Sequence, residues 1–381
     1  MVRGNGIKRS ETIEKGCPCL RYGEIYTSFD VILDKPRSFV PKELFDRSVK
    51  IKKGDLVFTL TGENTEEIAK ALAYLGDDEI AAGGDLAVWT GHGCDSKYLA
   101  YLMYSPQLIS QKAATGNGNI VVHTSIKKIQ QLEIPLPPFS VQREIVARLE
   151  RELAAVEKMK KGFEALAETA RAEFKAELKE VFEEISRGGA ETRRLGEVCE
   201  LISDCPHTTA KDEGVGIPLI RTPNVGFTRL ILAGVHRVSE DVYKQRTKRA
   251  IPLPGDLIFA REAPAGNVAV IQSGEKVCLG QRTVLLRLRK GCFSDYIAYS
   301  VLQPESQKIL IQRSTGSTVA HVNVCDIKTF PIHIPPLSVQ REVVARLDAA
   351  KARAEKLEAK AREGVAVCET MRKAILKEAF E

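Results

Sequence analysis

Apolar residues recur in steps of three, four or seven along two long stretches of this chain, with Lys, Arg and Glu filling most positions between them. The first series is Ile145, Leu149, Leu153, Val156, Phe163, Leu166, Ala170, Phe174, Leu178 and Val181. The second is Val343, Leu347, Ala350, Ala354, Leu357, Ala361, Val365, Cys368, Met371 and Ile375. Narrow apolar seams on helices of about forty residues predict a coiled coil. The expected helices cover 140–190 and 338–381. Each follows a proline pair, Pro137-Pro138 or Pro335-Pro336, which does not lie inside a helix. Ser140 and Ser338 then stand as N-caps. Gly364, within the second helix, is expected to cost about 1 kcal/mol relative to Ala.

The segments at 1–139 and 191–337 have a different rhythm. Short apolar runs are broken by Gly, Pro, Asn and Asp, as in IKKGDLVFTLTG and PLPGDLIFAREAPAGNVAVI. Such runs predict strands and turns of mixed, strand-rich domains. The fold class expected is α+β: two globular domains separated by a long antiparallel two-helix coiled coil.

The chain also repeats itself. Residues 134–150 read IPLPPFSVQREIVARLE and residues 332–348 read IHIPPLSVQREVVARLD, an offset of 198. His123 falls on His321, Gly118 on Gly316 and Ile129 on Ile327. Further upstream, Gly54-Asp55-Leu56 matches Gly255-Asp256-Leu257, and Arg21 matches Arg221. Equivalent halves pair naturally about a pseudo-twofold axis, which makes the helices antiparallel. Residues around QRE are nearly identical, whereas 22–115 and 222–313 share only scattered positions. A repeated surface suits two copies of one partner, and a divergent surface suits two different ligands.

Length and composition narrow the class. A chain of 381 residues exceeds what one core usually organises. The formal net charge of +6 suits a polyanionic partner without requiring one. No apolar run approaches a membrane span and no signal-peptide pattern opens the chain, so a cytoplasmic, membrane-free protein is expected. The nine cysteines have no zinc-knuckle or disulfide spacing, which predicts reduced, mostly buried thiols and no metal site.

Catalytic motifs are missing where they would be looked for. Leu136-Pro137-Pro138-Phe139 has the prolines and aromatic of an adenine methyltransferase loop, but Leu136 cannot accept a proton. Gly116-Asn117-Gly118-Asn119 and Gly91-His92-Gly93 do not have nucleotide-loop spacing. Glu177-Leu178-Lys179 matches a nuclease pattern only within a coiled-coil helix. His123 and His321 read as a shared structural hydrogen bond, and Trp89 as part of a core. The DNA-contact candidates are Arg21, Tyr22, Lys52, Lys53, Thr61 and Asn64 in the first domain. In the second they are Arg221, Thr222, Asn224, Lys248, Arg249, Arg261, Gln281 and Arg282. Arg and Lys neutralise phosphates, Arg forks onto guanine, and Asn or Gln onto adenine.

The order of globular domain, PPLSVQRE-type segment and long helix, twice over, resembles the specificity subunits of type I restriction–modification enzymes. The resemblance implies two target-recognition domains (1–139 and 191–337), each reading half of a split double-stranded DNA target. It implies that the helices at 140–190 and 338–381 set the gap and dock two modification (methyltransferase) subunits. Candidates for that interface are Pro137, Pro138, Gln142, Arg143, Pro335, Pro336, Gln340 and Arg341. Restriction subunits would join the complex. S-adenosylmethionine, ATP and Mg would sit on those partners, leaving this chain without cofactor and non-catalytic. Against the family pattern, Leu195–Ile202 has no counterpart after Met1, so the first domain is expected to lack its opening strand; the chain also stops where family members usually run on. Two other readings stay open: an architectural coiled-coil protein with two protein- or peptide-binding heads, and the specificity part of another DNA-modifying enzyme.

Overall fold

The computed structural model describes residues 1–118, 121–314 and 321–381. Asn119 and Gly316, used in the sequence comparison, lie outside the described residues. The chain divides into two compact units, Met1–Glu164 with Glu363–Glu381, and Ala165–Arg362. Each combines one mixed α/β domain with its own part of both long helices, and the fold class is α+β.

The first unit is built on a five-stranded sheet ordered Val2–Arg3, Leu86–Trp89, Leu56–Thr59, Ala71–Tyr74, Ile32–Leu33. Leu56–Thr59 and Ala71–Tyr74 are buried along their whole length. Alternation sends Leu56, Phe58, Ala71 and Ala73 into a cluster with Tyr98, Leu99 and Leu102 of the helix Ser96–Leu102. Val57, Leu72 and Tyr74 point the other way, onto Leu20, Ile51 and Ile80. Burial on both faces is why the GDLVF run is continuously apolar instead of alternating with polar residues.

The second unit repeats this plan in the order Cys199–Asp204, Thr283–Leu288, Leu257–Ala260, Val268–Val270, Thr228–Arg229. The register matches as well: Leu86 lies opposite Thr59, and Thr283 opposite Ala260. Val2 and Arg3 pair with Val88 and Ala87, the place that Ser203 and Asp204 take in the second unit. Val2–Arg3 thus stands where Ser203–Asp204 stands, just beyond the Leu195–Ile202 segment that the sequence comparison concerned.

The long helices run Phe139–Arg187 and Leu337–Phe380. Ion pairs Arg171–Glu358, Arg346–Glu177 and Arg346–Glu184 in one unit, and Lys160–Glu369 in the other, fix the direction as antiparallel. Two local expectations are corrected. Gln142 and Gln340 donate their N–H groups to the carbonyls of Pro138 and Pro336, both at 3.0 Å. The helices thus start from the prolines, and Ser140 and Ser338 lie in the first turn instead of capping it. A proline loses nothing there, because the first N–H groups of a helix have no intrahelical partner. In the second helix Met371 is 40 % exposed, and the buried face passes from Cys368 to Leu376 and Ala379.

Candidate nucleic-acid interface

Arg21 and Arg221 occupy the same place in the two units. Each directly follows a strand, Cys17–Leu20 or Ile217–Ile220, and gives its N–H to a side chain three residues on. The acceptors are Glu24 at 2.9 Å and Asn224 at 3.2 Å. A glycine lies beside each: Gly83 donates to Leu20 O at 2.8 Å, and Gly280 to Ile220 O at 2.7 Å. A Cβ on Gly280 would stand 2.7 Å from Cγ of Arg221. In both units the guanidinium Nε is buried without a hydrogen bond among the described residues, although that of Arg21 lies 3.4 Å from the Glu24 carboxylate. Buried donors are rarely left without a hydrogen bond, and here the same arginine nitrogen is so placed at one position of the fold in both units.

Elsewhere the two units differ at matching positions. Thr61 Oγ1 meets Nδ1 of His123 at 3.1 Å, whereas Glu262 meets Nδ1 of His321 at 2.7 Å. Thr61 and Glu262 are equivalent, since Leu60 and Arg261 accept from Thr124 and Val322 at matching places. By the same register Asp85 of the first unit corresponds to Arg282 of the second. Arg3, which pairs with Asp85 at 3.1 Å, corresponds to Asp204. One backbone frame thus carries Arg3, Leu60, Thr61 and Asp85 in one half and Asp204, Arg261, Glu262 and Arg282 in the other.

Individual candidates separate into surface and framework. Lys248 and Arg249 are exposed, and Tyr22 is 41 % exposed. Arg282 is exposed at a left-handed φ of 62° and pairs with Glu262. That backbone conformation is unusual for a side chain as large as arginine and is commoner at functional positions. Lys52 and Lys53 are exposed but paired with Glu79 at 2.9 Å and Asp77 at 2.6 Å. Hydrogen bonding to these lysines holds both carboxyls below their ordinary range. Asn64 closes a turn onto Glu67, Thr222 opens a short 3-10 turn, and Gln281 donates to His207 O at 3.1 Å.

Three candidates are framework. Thr61 is buried against His123. Asn224 is 5 % exposed and spent on Arg221 N–H and Ile231 O. Arg261 is 9 % exposed and donates to Val322 O, Asp204 and Nε2 of His321. In that arrangement His321 accepts at Nε2 and donates from Nδ1 to Glu262, so the histidine anchors the patch, with a different partner in each half.

At the joint with the long helices the glutamines of both QRE copies face inward. Gln142 is 4 % exposed; it accepts from Asp95 N–H at 2.9 Å and donates to Pro137 O at 2.8 Å. Gln340, fully buried, accepts from Phe293 N–H at 2.8 Å and donates to Gly291 O and Pro335 O. Pro335 is buried and Pro137 half-buried, so these residues shape the segment from within instead of facing a partner as the sequence suggested. Pro138, Pro336, Arg143 and Arg341 are exposed. Leu136, Phe139, Val141 and Leu337 add exposed apolar surface beside them, a contribution the motif comparison did not single out.

Burial pushes the thiols of Cys19 and Cys199 up to about 12 and Cys278 to about 11, away from the thiolate that reactive cysteines need. Among the described residues no His, Cys, Asp or Glu cluster suits a metal, and no helix is long and apolar enough to cross a membrane.

Residues 188–365 match the family model for the type I restriction modification DNA specificity domain. The matched segment takes in the second mixed domain and much of the second long helix. The whole chain aligns with 86 % of the type I restriction enzyme EcoKI specificity subunit of Escherichia coli K12 at 20 % identity. It also aligns over 80 % of its length with 74 % of the MjaVIII specificity subunit of Methanocaldococcus jannaschii at 21 % identity. Among solved structures, a chain of a type I R-M system assembly has a TM-score of 0.70 at 23 % identity, covering 91 % of this chain and 87 % of that one. The HsdS subunit of Thermoanaerobacter tengcongensis gives 0.56 at 23 % identity, covering 91 % and 85 %. The likeness to these solved structures shows a two-domain, coiled-coil fold of the kind that HsdS chains have.

Proposed function

We propose that this chain is the DNA-reading, non-catalytic subunit of a type I restriction–modification enzyme, each domain recognising one half of a bipartite duplex target. The observation that carries the reading is the pair Arg21 and Arg221: the same half-buried arginine at one place of the fold, in two units whose matching polar positions differ. Shared arginines suit the invariant phosphate backbone, and divergent neighbours suit different bases. The antiparallel helices then act as the spacer. Their exposed, repeated starts around Pro138, Arg143, Pro336 and Arg341 receive two copies of one modification subunit, because equal surfaces favour equal partners. S-adenosylmethionine, ATP and Mg belong to the modification and restriction subunits, and the chain works in the cytoplasm where those partners meet DNA.

Methylome sequencing of a host with and without the gene tests this. The expected result is one split motif that is methylated only when the gene is present. An unchanged methylome in a host that makes the modification subunit, or methyl transfer by the purified chain alone, would overturn the reading. Charge reversal at Arg143 and Arg341 together is expected to weaken assembly with the modification subunit more than either alone.

A further inference from the structure

A cavity of about 420 Å³ opens in the first unit between Asp30–Ile32, at the edge of the sheet, and that unit's own parts of the long helices. Leu153, Val156 and Cys368 give it apolar walls. Four carboxylates border it, those of Asp30, Glu150, Glu157 and Glu369, against two cations, Lys160 and Arg372. Asp30 pairs with Arg372, Glu369 with Lys160, Glu150 with Lys97 at 2.6 Å and Glu157 with Lys161 at 3.7 Å. A carboxylate offers about four acceptor sites, so one cation each leaves several open. Tyr101 also borders the cavity; it is 8 % exposed, and its hydroxyl makes no hydrogen bond among the described residues. Burial, followed by the charge of Glu150, pushes that hydroxyl up to about 12, so it stays neutral and able to accept as well as donate.

The second unit completes the same place from within. Strand register matches Asp30 with Phe227 and Val31 with Thr228. The offset of 198 matches Tyr101 with Tyr299, Glu150 with Asp348, Leu153 with Lys351 and Phe174 with Arg372. Tyr299 donates to Asp348 at 2.6 Å. Phe174, Phe227 and Tyr299 pack edge to face, with ring centres 5.7 and 6.0 Å apart. Lys351 brings an ammonium to them: it donates to Phe227 O at 3.3 Å and to Thr228 Oγ1 at 3.2 Å, and lies 5.6 Å from the centre of the Phe227 ring. In the first unit Lys97 holds the carboxylate, the Asp30–Arg372 pair replaces both phenylalanines, and Leu153 supplies no cation.

We propose that this cavity binds a short aliphatic polyamine, which gives the first unit the ammonium that Lys351 gives the second. One ammonium donates to the Tyr101 hydroxyl and Glu150, another reaches Glu157, and the methylene chain lies on Leu153 and Val156. An ammonium has three donors and no acceptor, which suits a wall of acceptors. An anion would face four carboxylates, and an uncharged apolar molecule would leave the tyrosine hydroxyl buried without a partner. The site does not depend on DNA recognition.

The full chain, free of nucleic acid, is titrated calorimetrically with 1,4-diaminobutane, whose chain has the length of a lysine stem. Saturable binding with a raised melting temperature is expected, and butan-1-ol should produce neither. Tyr101→Phe removes only the hydroxyl and should weaken binding about tenfold or more, the loss of one charge-assisted hydrogen bond. Leu153→Lys sets the second unit's cation in the first and should abolish binding. Melting of each variant without amine checks its folding; should Leu153→Lys fail to fold, Tyr101→Phe decides. Absence of saturable binding, unchanged affinity in Tyr101→Phe, or equal binding of butan-1-ol overturns the proposal.

Discussion

Gly364 lies so close to Phe163 on the facing helix that a Cβ at 364 would stand 2.5 Å from three carbons of the ring. Sequence alone treats this glycine as a loss of about 1 kcal/mol of helix propensity. The packing reverses that: the missing side chain is the hole into which the ring fits. Gly364→Ala is expected to destabilise by about 1–3 kcal/mol through overpacking, and Phe163→Leu in the same chain should restore part of the loss. Chemical denaturation of the three proteins decides; a more stable single variant would mean that the ring moves aside freely.

Gln340 is fully buried with three hydrogen bonds, all to main-chain atoms. Gln340→Ala leaves a buried N–H and two carbonyls unpaired and should cost about 2–4 kcal/mol. Gln142→Ala, with two such bonds, should cost less. Unfolding midpoints for the two variants check both the sizes and their order.

Lys112 is buried against Ala69 O at 3.3 Å. Burial, followed by the charge of Lys70, lowers its pKa to about 8. The unfolded chain holds this proton up to about pH 10.4. Between about pH 8 and 10.4 the unfolded state binds more protons, so this group's contribution to stability rises with pH through that window. Buried tyrosines such as Tyr101, pushed up to about 12, act in the opposite sense above about pH 10. The test is therefore the difference between wild type and Lys112→Leu, the residue that the repeat carries as Leu310. Stability of wild type relative to the variant should increase from pH 8 to 9.5. A flat difference would refute the depressed pKa.

For DNA contact, Lys248→Ala and Arg249→Ala should weaken binding evenly across sequences and reduce the salt slope by about 1 each. Arg282→Ala should instead relax discrimination at one position of one half-site by about 1–3 kcal/mol. Binding of the assembled complex to a set of singly altered targets separates the two behaviours. Uniform weakening by Arg282→Ala would make it a phosphate contact.

The helices and the duplication were legible because both are periodic signals that survive without coordinates. The seam from Ile145 to Val181 is buried or half-buried at every position named. What escaped was direction and depth. Gln142 and Arg143 are adjacent in the motif, yet one turns into the joint and the other outward. Thr61, Asn224 and Arg261 carried suitable chemistry for DNA but are spent on internal hydrogen bonds. The pairing of Thr61 with Glu262 was hidden because neither the residue type nor the charge is shared. Only the strand register brings the two positions together.

The glutamine joint has a consequence for how such a protein changes. Asp95 and Phe293 offer Gln142 and Gln340 the same N–H, although their side chains have nothing in common. A plug that touches only the peptide backbone is indifferent to what is written on the surface of the module it holds. A domain rewritten by mutation, or replaced whole by recombination, still fits the same socket. New binding surfaces are then acquired without rebuilding the long helices that carry them.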